Sequence, residues 1–204
     1  MKKYNFQKKA KNLGVVFDSK ISMNQHISHL CQVLYLEIRR IGKLSQFLNE
    51  NSLKTLVSAF VFSRFDYCNS LFVNLPNETL YKLQRFQNQA AWLILKCKRT
   101  DHVTPLLKQL HWLPVKARIT YKIAVFCHKC IHSNAPSYVC DLINMYEPSR
   151  QLRSSDQFLL KVPKKGSKKL AERSFTHYAP SVWNSLPKEL RTKASQAGFF
   201  KNCS

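Results

Sequence analysis

The sequence predicts a mainly α-helical protein with a short strand near its start and a β-hairpin near its end. Apolar residues recur every three or four positions in several long segments, a period typical of helices with one buried face. A short apolar run at residues 13–18 predicts the strand. Two further apolar runs flank a basic turn that contains Gly166, and they predict the hairpin.

The predicted strand, LGVVFD, leads through a turn into the first helix. Ser22 is followed three residues later by Gln25, the spacing of a capping box, so we expect this helix to begin near Met23. Its apolar stripe consists of Ile27, Leu30, Cys31, Leu34, Ile38 and Ile41. Its last turns carry cations, which suit the negative end of the helix dipole: Arg39, Arg40 and Lys43.

Two more helices follow. The second has its apolar stripe at Leu53, Leu56, Val57, Phe60 and Val61, and we expect it to end near Asp66. The third follows Pro76 and Asn77, and its apolar side is formed by Leu83, Phe86, Ala90, Leu93 and Ile94. The opposite side of the third helix gathers Lys82, Arg85, Gln89 and Lys96, with Trp92 beside them.

The stretch LHWLPVKARITYKI, residues 110–123, predicts the start of another long helix, after a short helical turn opened by Thr104 and Pro105. Pro114 fits the first turn of a helix, where its missing N–H costs nothing. One face is then apolar, formed by Val115, Ile119, Ile123, Phe126 and Cys130. His111 and Trp112 form either a packed junction under this helix or a platform for stacking bases. Packing is favoured because large aromatic side chains usually bury.

The pattern of the sequence changes after Asn134 and Pro136, from helical apolar periods to loops and short apolar runs. Residues 146–155, YEPSRQLRSS, form a loop dense in Ser and Arg. FLLKV and LAERSF are predicted as the two strands of the hairpin, joined by the turn PKKGSKK. WNSLPKELR then predicts a helical turn that begins at its proline.

Positive charge is the most unusual property of the composition. The chain of 204 residues has 33 Lys and Arg against 11 Asp and Glu, a formal net charge of +22. Such an excess predicts a polyanionic partner. Nucleic acid is favoured over a membrane, because no segment has the apolar length needed to span a bilayer. Seven scattered cysteines and a basic N-terminus without an apolar core indicate an intracellular protein of the cytoplasm or nucleus, not a secreted one.

Nothing in the sequence recommends a particular catalytic chemistry, although catalysis is not excluded. Four scattered glycines form no phosphate-binding loop. Metal-dependent phosphoryl transfer needs clustered carboxylates, and the five aspartates all stand alone: Asp18, Asp66, Asp101, Asp141 and Asp156. Cys127 and Cys130 have a zinc-like spacing but no second ligand pair, so core cysteines are the preferred interpretation. We therefore predict no catalytic residue, no metal ligand and no cofactor.

Twelve basic residues are candidate contacts to nucleic acid. A helix face that is merely solvated is the alternative explanation for any single group of them, and the global charge excess favours binding. Helical positions and exposed loops both contribute to the set: Lys82, Arg85, Lys96, Arg118, Lys122, Lys129, Arg150, Arg153, Lys164, Lys165, Lys168 and Lys169.

An ordered series of short motifs resembles a known family. The chain reads NLGVVFDS at Asn12, HI at His26, FDYCNSL at Phe65, LQRFQNQAA at Leu83, LHWLPVKARI at Leu110, YEPSRQLRSS at Tyr146, VP at Val162, RSF at Arg173 and APSVWNSLP at Ala179. This series resembles the region after the polymerase palm in reverse transcriptases of LINE-type (non-LTR, jockey-like) retrotransposons. The resemblance extends from about Leu13 to Lys201, nearly the whole chain.

The resemblance implies a thumb-like helical bundle that grips template RNA and nascent cDNA. It divides the chain into an end-of-palm strand at 1–20, a thumb-like domain at 21–145, and a basic loop, hairpin and helical turn at 146–204. The catalytic aspartates and their Mg²⁺ would belong to a palm that this chain lacks. The implied partners are RNA, RNA–DNA hybrid or DNA, and the palm and fingers of the parent polymerase.

Two departures from the family pattern bear on this interpretation. Trp92 stands where relatives usually have an Arg, so a phosphate contact is expected to be lost there. The chain stops soon after Lys201, where relatives continue, so we expect a cut piece of a longer polymerase. The alternatives are a stand-alone basic nucleic-acid-binding module derived from a mobile element, or a non-functional relic. Residues 13–18, without partner strands, would expose an apolar edge.

Overall fold

Helices make up most of the fold, and a pair of antiparallel strands precedes them. The computed structural model describes residues 9–132, 134–147, 158–163 and 173–192. The chain divides into two compact units, Met1–Lys116 and Ala117–Ser204. The prediction of a mainly α protein with a short N-terminal strand is confirmed. Within the described ranges, no helix is both long enough and apolar enough to cross a membrane.

The described elements follow one another in the order strand, strand, helices. The strands are β1 (Lys9–Asn12) and β2 (Val15–Asp18). The helices are α1 (Asn24–Leu44), α2 (Glu50–Val57), α3 (Ser63–Phe65), α4 (Asn77–Ile94), α5 (Val103–Gln109), α6 (Val115–Ile131), α7 (Ser137–Cys140), α8 (Phe175–Asn184) and α9 (Lys188–Thr192). A π-helical turn, Ser58–Phe62, joins α2 to α3, and 3₁₀ turns cover Ser45–Phe47 and Asn69–Phe72.

The predicted strand at residues 13–18 is shorter than expected and has a partner. Only Val15–Asp18 is strand, and it pairs with Lys9–Asn12 in an antiparallel hairpin. Leu13 and Gly14 form the two-residue turn, with φ of 45° and 83°. Positive φ at both positions matches the twist of a tight hairpin, and Gly14 adopts it without strain. The expectation of a strand without a partner is therefore wrong.

Asp18, at the end of β2, holds the turn into α1. Its carboxylate accepts hydrogen bonds from the backbone N–H groups of Lys20 (2.9 Å), Ser22 (3.0 Å) and Met23 (3.1 Å). It also accepts one from the Ser22 hydroxyl at 2.8 Å. The capping box predicted from Ser22 and Gln25 is wrong, because α1 begins at Asn24 and Asp18 binds the N–H groups before it. The start of the helix is within one residue of the prediction.

Replacing Asp18 with Asn is expected to lower the free energy of unfolding by about 1–2 kcal/mol at neutral pH, because the amide loses the charge and one of the two acceptor oxygens that hold these hydrogen bonds. Hydrogen bonds to the carboxylate hold the pKa of Asp18 below its usual 3.8, and the bond from the Ser22 N–H contributes most. A lowered folded-state pKa gives stability that is present above about pH 4 and is lost as the pH falls through the folded pKa. Urea melts at neutral pH and below pH 4 should show the difference between the proteins shrinking with acid.

The matched control for Asp18→Asn is Asp141→Asn, which changes an exposed carboxylate. That variant should unfold like the wild type at both pH values. A difference between Asp18→Asn and wild type that stays constant across the acid range would contradict the role given to the Asp18 charge.

Helices α1 and α4 pack side by side and run parallel in the first unit. A Cβ added to Gly42 would lie 3.9 Å from Leu93 Cδ1, near the ends of both helices. Toward their starts, burial raises the pKa of the Cys31 thiol, and the nearby positive charge of Lys82 opposes that rise. The core of the unit includes Ile27, Leu30, Leu34, Ile41, Leu53, Val57, Phe62, Leu83, Ala90 and Ile94.

The start of α6 is fixed by two glutamines of α4. Gln84 Oε1 accepts a hydrogen bond from the Val115 N–H at 2.9 Å, so a side chain of another helix satisfies the first N–H of α6. Gln87 is 1% exposed and donates to the Leu113 carbonyl at 2.9 Å. Gln84 Nε2 donates to Gln87 Oε1 at 3.0 Å, which links the two side chains. Pro114 immediately precedes the helix.

The second unit packs α6 against α8. Ile119 and Ile123 are buried, the Cys127 thiol lies 3.6 Å from the Ala179 carbonyl, and Phe126 meets Phe175 edge-on. The indole N–H of Trp183, which is 0% exposed, donates to the Phe158 carbonyl at 2.7 Å. The helical turn predicted after Pro187 is confirmed as α9.

The predicted late hairpin is wrong in its described part. The described residues 173–175 of its second strand lead into α8, which begins at Phe175. Leu160, in its first strand, instead forms an antiparallel bridge with Met145. Both backbone groups of Leu160 are also bound by the Asn184 side chain at 2.9 Å, so they are not available to a second strand.

Candidate nucleic-acid interface

A basic groove lies where α1 and α4 end side by side. Its volume is about 820 Å³, within the range of ligand-binding clefts. Polar, aromatic and aliphatic side chains line it together: Tyr35, Ile38, Arg39, Gly42, Lys43, Ser45, Gln89, Trp92, Leu93, Lys96, Cys97 and Arg99. We call this surface the α1–α4 groove.

The charge of the α1–α4 groove is of one sign. Four of its lining residues are cations, Arg39, Lys43, Lys96 and Arg99, and no carboxylate is among the described residues that line it. In the part of the chain that the structure describes, none of these four side chains forms an ion pair. Neighbouring cations differ, since Arg40 and Arg64 both approach Glu37, at 3.2 and 3.9 Å. The groove therefore presents positive charge that no carboxylate among the described residues neutralises through an ion pair.

The C-terminal turn after α4 places two groove residues. Lys96 has a left-handed φ of 52°, and the Cys97 N–H donates to the Trp92 carbonyl at 3.1 Å, as in a Schellman motif. The indole N–H of Trp92 donates to the Asp101 carbonyl at 3.1 Å. Asp101 itself accepts from the Lys98 N–H at 2.9 Å, which closes the loop. The ring of Trp92 is thereby held at the groove by its own loop.

Helix dipoles give one reason for cations at the C-terminal ends of α1 and α4. Because α1 and α4 are parallel, the negative ends of both lie together, and nearby cations stabilise them by about 0.3–1 kcal/mol each. Lys96 Nζ lies 3.5 Å from the Leu48 carbonyl, which fits such a role. Arg39 lies more than one turn before the end of α1, one turn after Tyr35. The dipole interaction is weaker at that distance from the helix end. The helix dipoles therefore explain part of the positive charge around the groove. The charge of Arg39 is explained less well by them.

Of the predicted binding residues in the first unit, one lines the α1–α4 groove. That residue is Lys96. Lys82 and Arg85 are exposed and continue the same side of α4 toward its start, beyond Gln89. A rise of 1.5 Å per residue spreads positions 82 to 96 over roughly 21 Å. The sequence prediction missed Arg39, Lys43 and Arg99 as a group, because nothing in the sequence shows that α1 and α4 pack side by side.

The remaining predicted contacts do not belong to the groove. Arg118, Lys122 and Lys129 lie on α6 in the second unit; Lys122 is exposed, and the other two are half-buried. The Lys122 ammonium lies 5.7 Å from the centre of the Phe126 ring, a cation–π distance. The other six predicted contacts lie outside the described residues: Arg150, Arg153, Lys164, Lys165, Lys168 and Lys169.

Trp112 is part of a packed junction. Its ring meets Phe62 edge-on, with centroids 4.4 Å apart, while His111 is exposed. The packing interpretation of this pair is therefore confirmed for Trp112.

The cysteine pair of α6 is buried. Burial raises the pKa of Cys127 to about 12 and that of Cys130 to about 11, and a hydrogen bond with Cys140 contributes at Cys130. Among the residues with described positions, no three His, Cys, Asp or Glu side chains are placed to hold a metal ion. Nothing in this geometry supports the zinc alternative.

Comparison of the chain with protein-family models, with curated proteins and with solved structures found no match. The resemblance to LINE-type reverse transcriptases therefore stays a prediction.

Proposed function

We propose that this chain binds nucleic acid through the α1–α4 groove. The observation that carries the proposal is the group of four cations around one groove without a carboxylate among its described lining residues. Phosphate groups are bound by this kind of positive density, and the affinity comes largely from released counterions. The net charge of +22 adds a long-range attraction for the same partner.

The resemblance supports a more specific role for this binding. In that proposal the chain is the post-palm, thumb-like region of a retrotransposon RNA-directed DNA polymerase. It contacts RNA, RNA–DNA hybrid or DNA and leaves catalysis and Mg²⁺ to the palm. A palm with an aspartate pair, intact or broken, encoded just upstream in genomic DNA would support this origin. An independent promoter and reading frame starting at Met1 would favour the stand-alone module.

The binding proposal is tested with the double variant Arg39→Ala/Lys43→Ala. We expect its affinity for labelled nucleic acid to fall about tenfold at physiological salt. The slope of log affinity against log salt should fall by about 1.4 for single strands and 1.8 for duplex DNA, because two phosphate contacts are lost. Fluorescence anisotropy across a salt series, with RNA, RNA–DNA hybrid and duplex DNA, measures both quantities.

The matched control is Lys11→Ala/Lys108→Ala. It removes the same charge from exposed positions of the same unit that do not line the groove. Its affinity should fall only slightly, through the smaller net charge. Equal losses in the two double variants would mean that the chain is a generic polycation and would overturn the assignment to the groove.

A further inference from the structure

Trp92 gives the α1–α4 groove a chemistry beyond charge. It is half-buried and lines the groove together with Tyr35, which is 52% exposed. The other two tryptophans are engaged in packing: Trp183 is 0% exposed and Trp112 meets Phe62 edge-on. An aromatic ring among phosphate-binding cations is the combination that binds single strands, since bases stack on the ring while cations hold the backbone.

We infer that the groove binds an unpaired stretch of nucleic acid, with one base stacked on Trp92. This inference rests on the proposed function and names its substrate class. Bases inside a duplex have both faces covered by their neighbours, so only an unpaired base can offer a face to the indole. A volume of about 820 Å³ suits a small ligand or a short piece of a strand.

The position of the Trp92 ring is set before any ligand binds. The indole N–H donates to the Asp101 carbonyl at 3.1 Å. The Asp101 side chain in turn accepts a hydrogen bond from the Lys98 N–H, which closes the loop. Side-chain entropy is therefore already lost in the unbound protein, which lowers the cost of stacking. Lys96 and Arg99 follow Trp92 in the chain and line the same groove, where they are available for phosphate contacts.

The rest of the strand has a path along α4. Arg85 and Lys82 are exposed on the side of α4 that carries Gln89 and Trp92, at successive turns toward the start of the helix. Arg39 and Lys43 lie on the facing helix. Cations from both helices line the groove that contains the Trp92 ring, so they offer a path for a phosphate backbone, and the stacked base marks one position on it.

The experiment compares two single-stranded probes of equal charge. One is an oligothymidylate of roughly 12 nucleotides and the other is an abasic oligomer of the same length, within the site sizes that single-strand binders use. We expect the wild type to bind the thymidylate about tenfold tighter than the abasic oligomer. Only the thymidylate should quench tryptophan fluorescence.

Two variants separate stacking from structural effects. Trp92→Phe keeps an aromatic face without the N–H, and it should retain the preference for the thymidylate. Trp92→Leu keeps apolar bulk without a ring, and it should bind both probes equally. Duplex DNA, whose bases are covered, should distinguish the three proteins less than the thymidylate does, and circular dichroism melts show whether each is folded.

The possible results distinguish this inference from the proposed function. Equal, salt-sensitive binding of both probes by the wild type would overturn the stacking inference and leave the groove as a phosphate-binding surface. A preference for thymidylate that survives in Trp92→Leu would overturn the assignment to Trp92. Absence of binding to any probe at low salt would overturn both proposals.

Discussion

Replacing Trp183 with Ala is expected to lower the free energy of unfolding by about 3–5 kcal/mol, the range for large-to-small changes at buried aromatic positions. Trp183 is 0% exposed, and its ring centre lies 6.5 Å from that of His128 on α6. Its N–H also binds the Phe158 carbonyl at 2.7 Å, so the variant loses a buried hydrogen bond together with the packing. Urea melts followed by circular dichroism measure the loss.

Two further variants interpret the Trp183 result. Trp183→Phe keeps most of the apolar volume and loses the N–H, so it should cost less than the alanine variant. Tyr138→Ala removes a ring that is 72% exposed and should change stability by less than about 0.5 kcal/mol. A loss below about 1 kcal/mol for Trp183→Ala would show that the described packing of α8 does not contribute to the stability of the second unit.

Replacing Gln87 with Ala is expected to lower the free energy of unfolding by about 2–3 kcal/mol. The change removes the donor to the Leu113 carbonyl, and a buried polar group without a partner costs about 1–3 kcal/mol. It also removes the acceptor that positions Gln84, which caps the first N–H of α6. A cavity adds to the loss, since Gln87 is 1% exposed. Chemical denaturation of the purified variant gives the value.

The Gln87→Leu variant separates the contribution of side-chain volume to stability from the contribution of the hydrogen bonds. This variant fills the site and should still cost about 1–3 kcal/mol, because the Leu113 carbonyl stays without its donor. Gln25→Ala, at an exposed position of α1, is the control and should be nearly neutral. If Gln87→Leu matched the wild type, the hydrogen bonds at the entrance of α6 would not contribute to stability.

The long helices were predicted because their apolar period is a local property. The buried positions of α1, among them Ile27, Leu34 and Ile41, follow from spacing alone. Helix α8 could not be predicted in the same way. Pro180 lies inside it, where proline removes a helical hydrogen bond. Its burial beside Trp183 is a tertiary effect that outweighs the local rule.

The α1–α4 groove could be predicted only in part. Lys96 was found because charge on one side of α4 is visible in the sequence. Arg39 and Lys43 were interpreted through the dipole of their own helix, since nothing local shows that the chain returns to lay α4 parallel to α1. Trp92 was interpreted as a lost phosphate contact, and its place among the cations depends on the same long-range packing.

Lys96 adopts the left-handed conformation that follows α4, with φ of 52°. Glycine is the usual residue there, and a residue with a Cβ costs about 1 kcal/mol more. Selection for stability alone would favour glycine at this position, whereas selection for a basic groove would retain lysine or arginine. Copies of a mobile element drift once their product is no longer used. Under the proposed origin from a mobile element, the residue at position 96 across copies would therefore record whether the groove was still under selection when each copy arose.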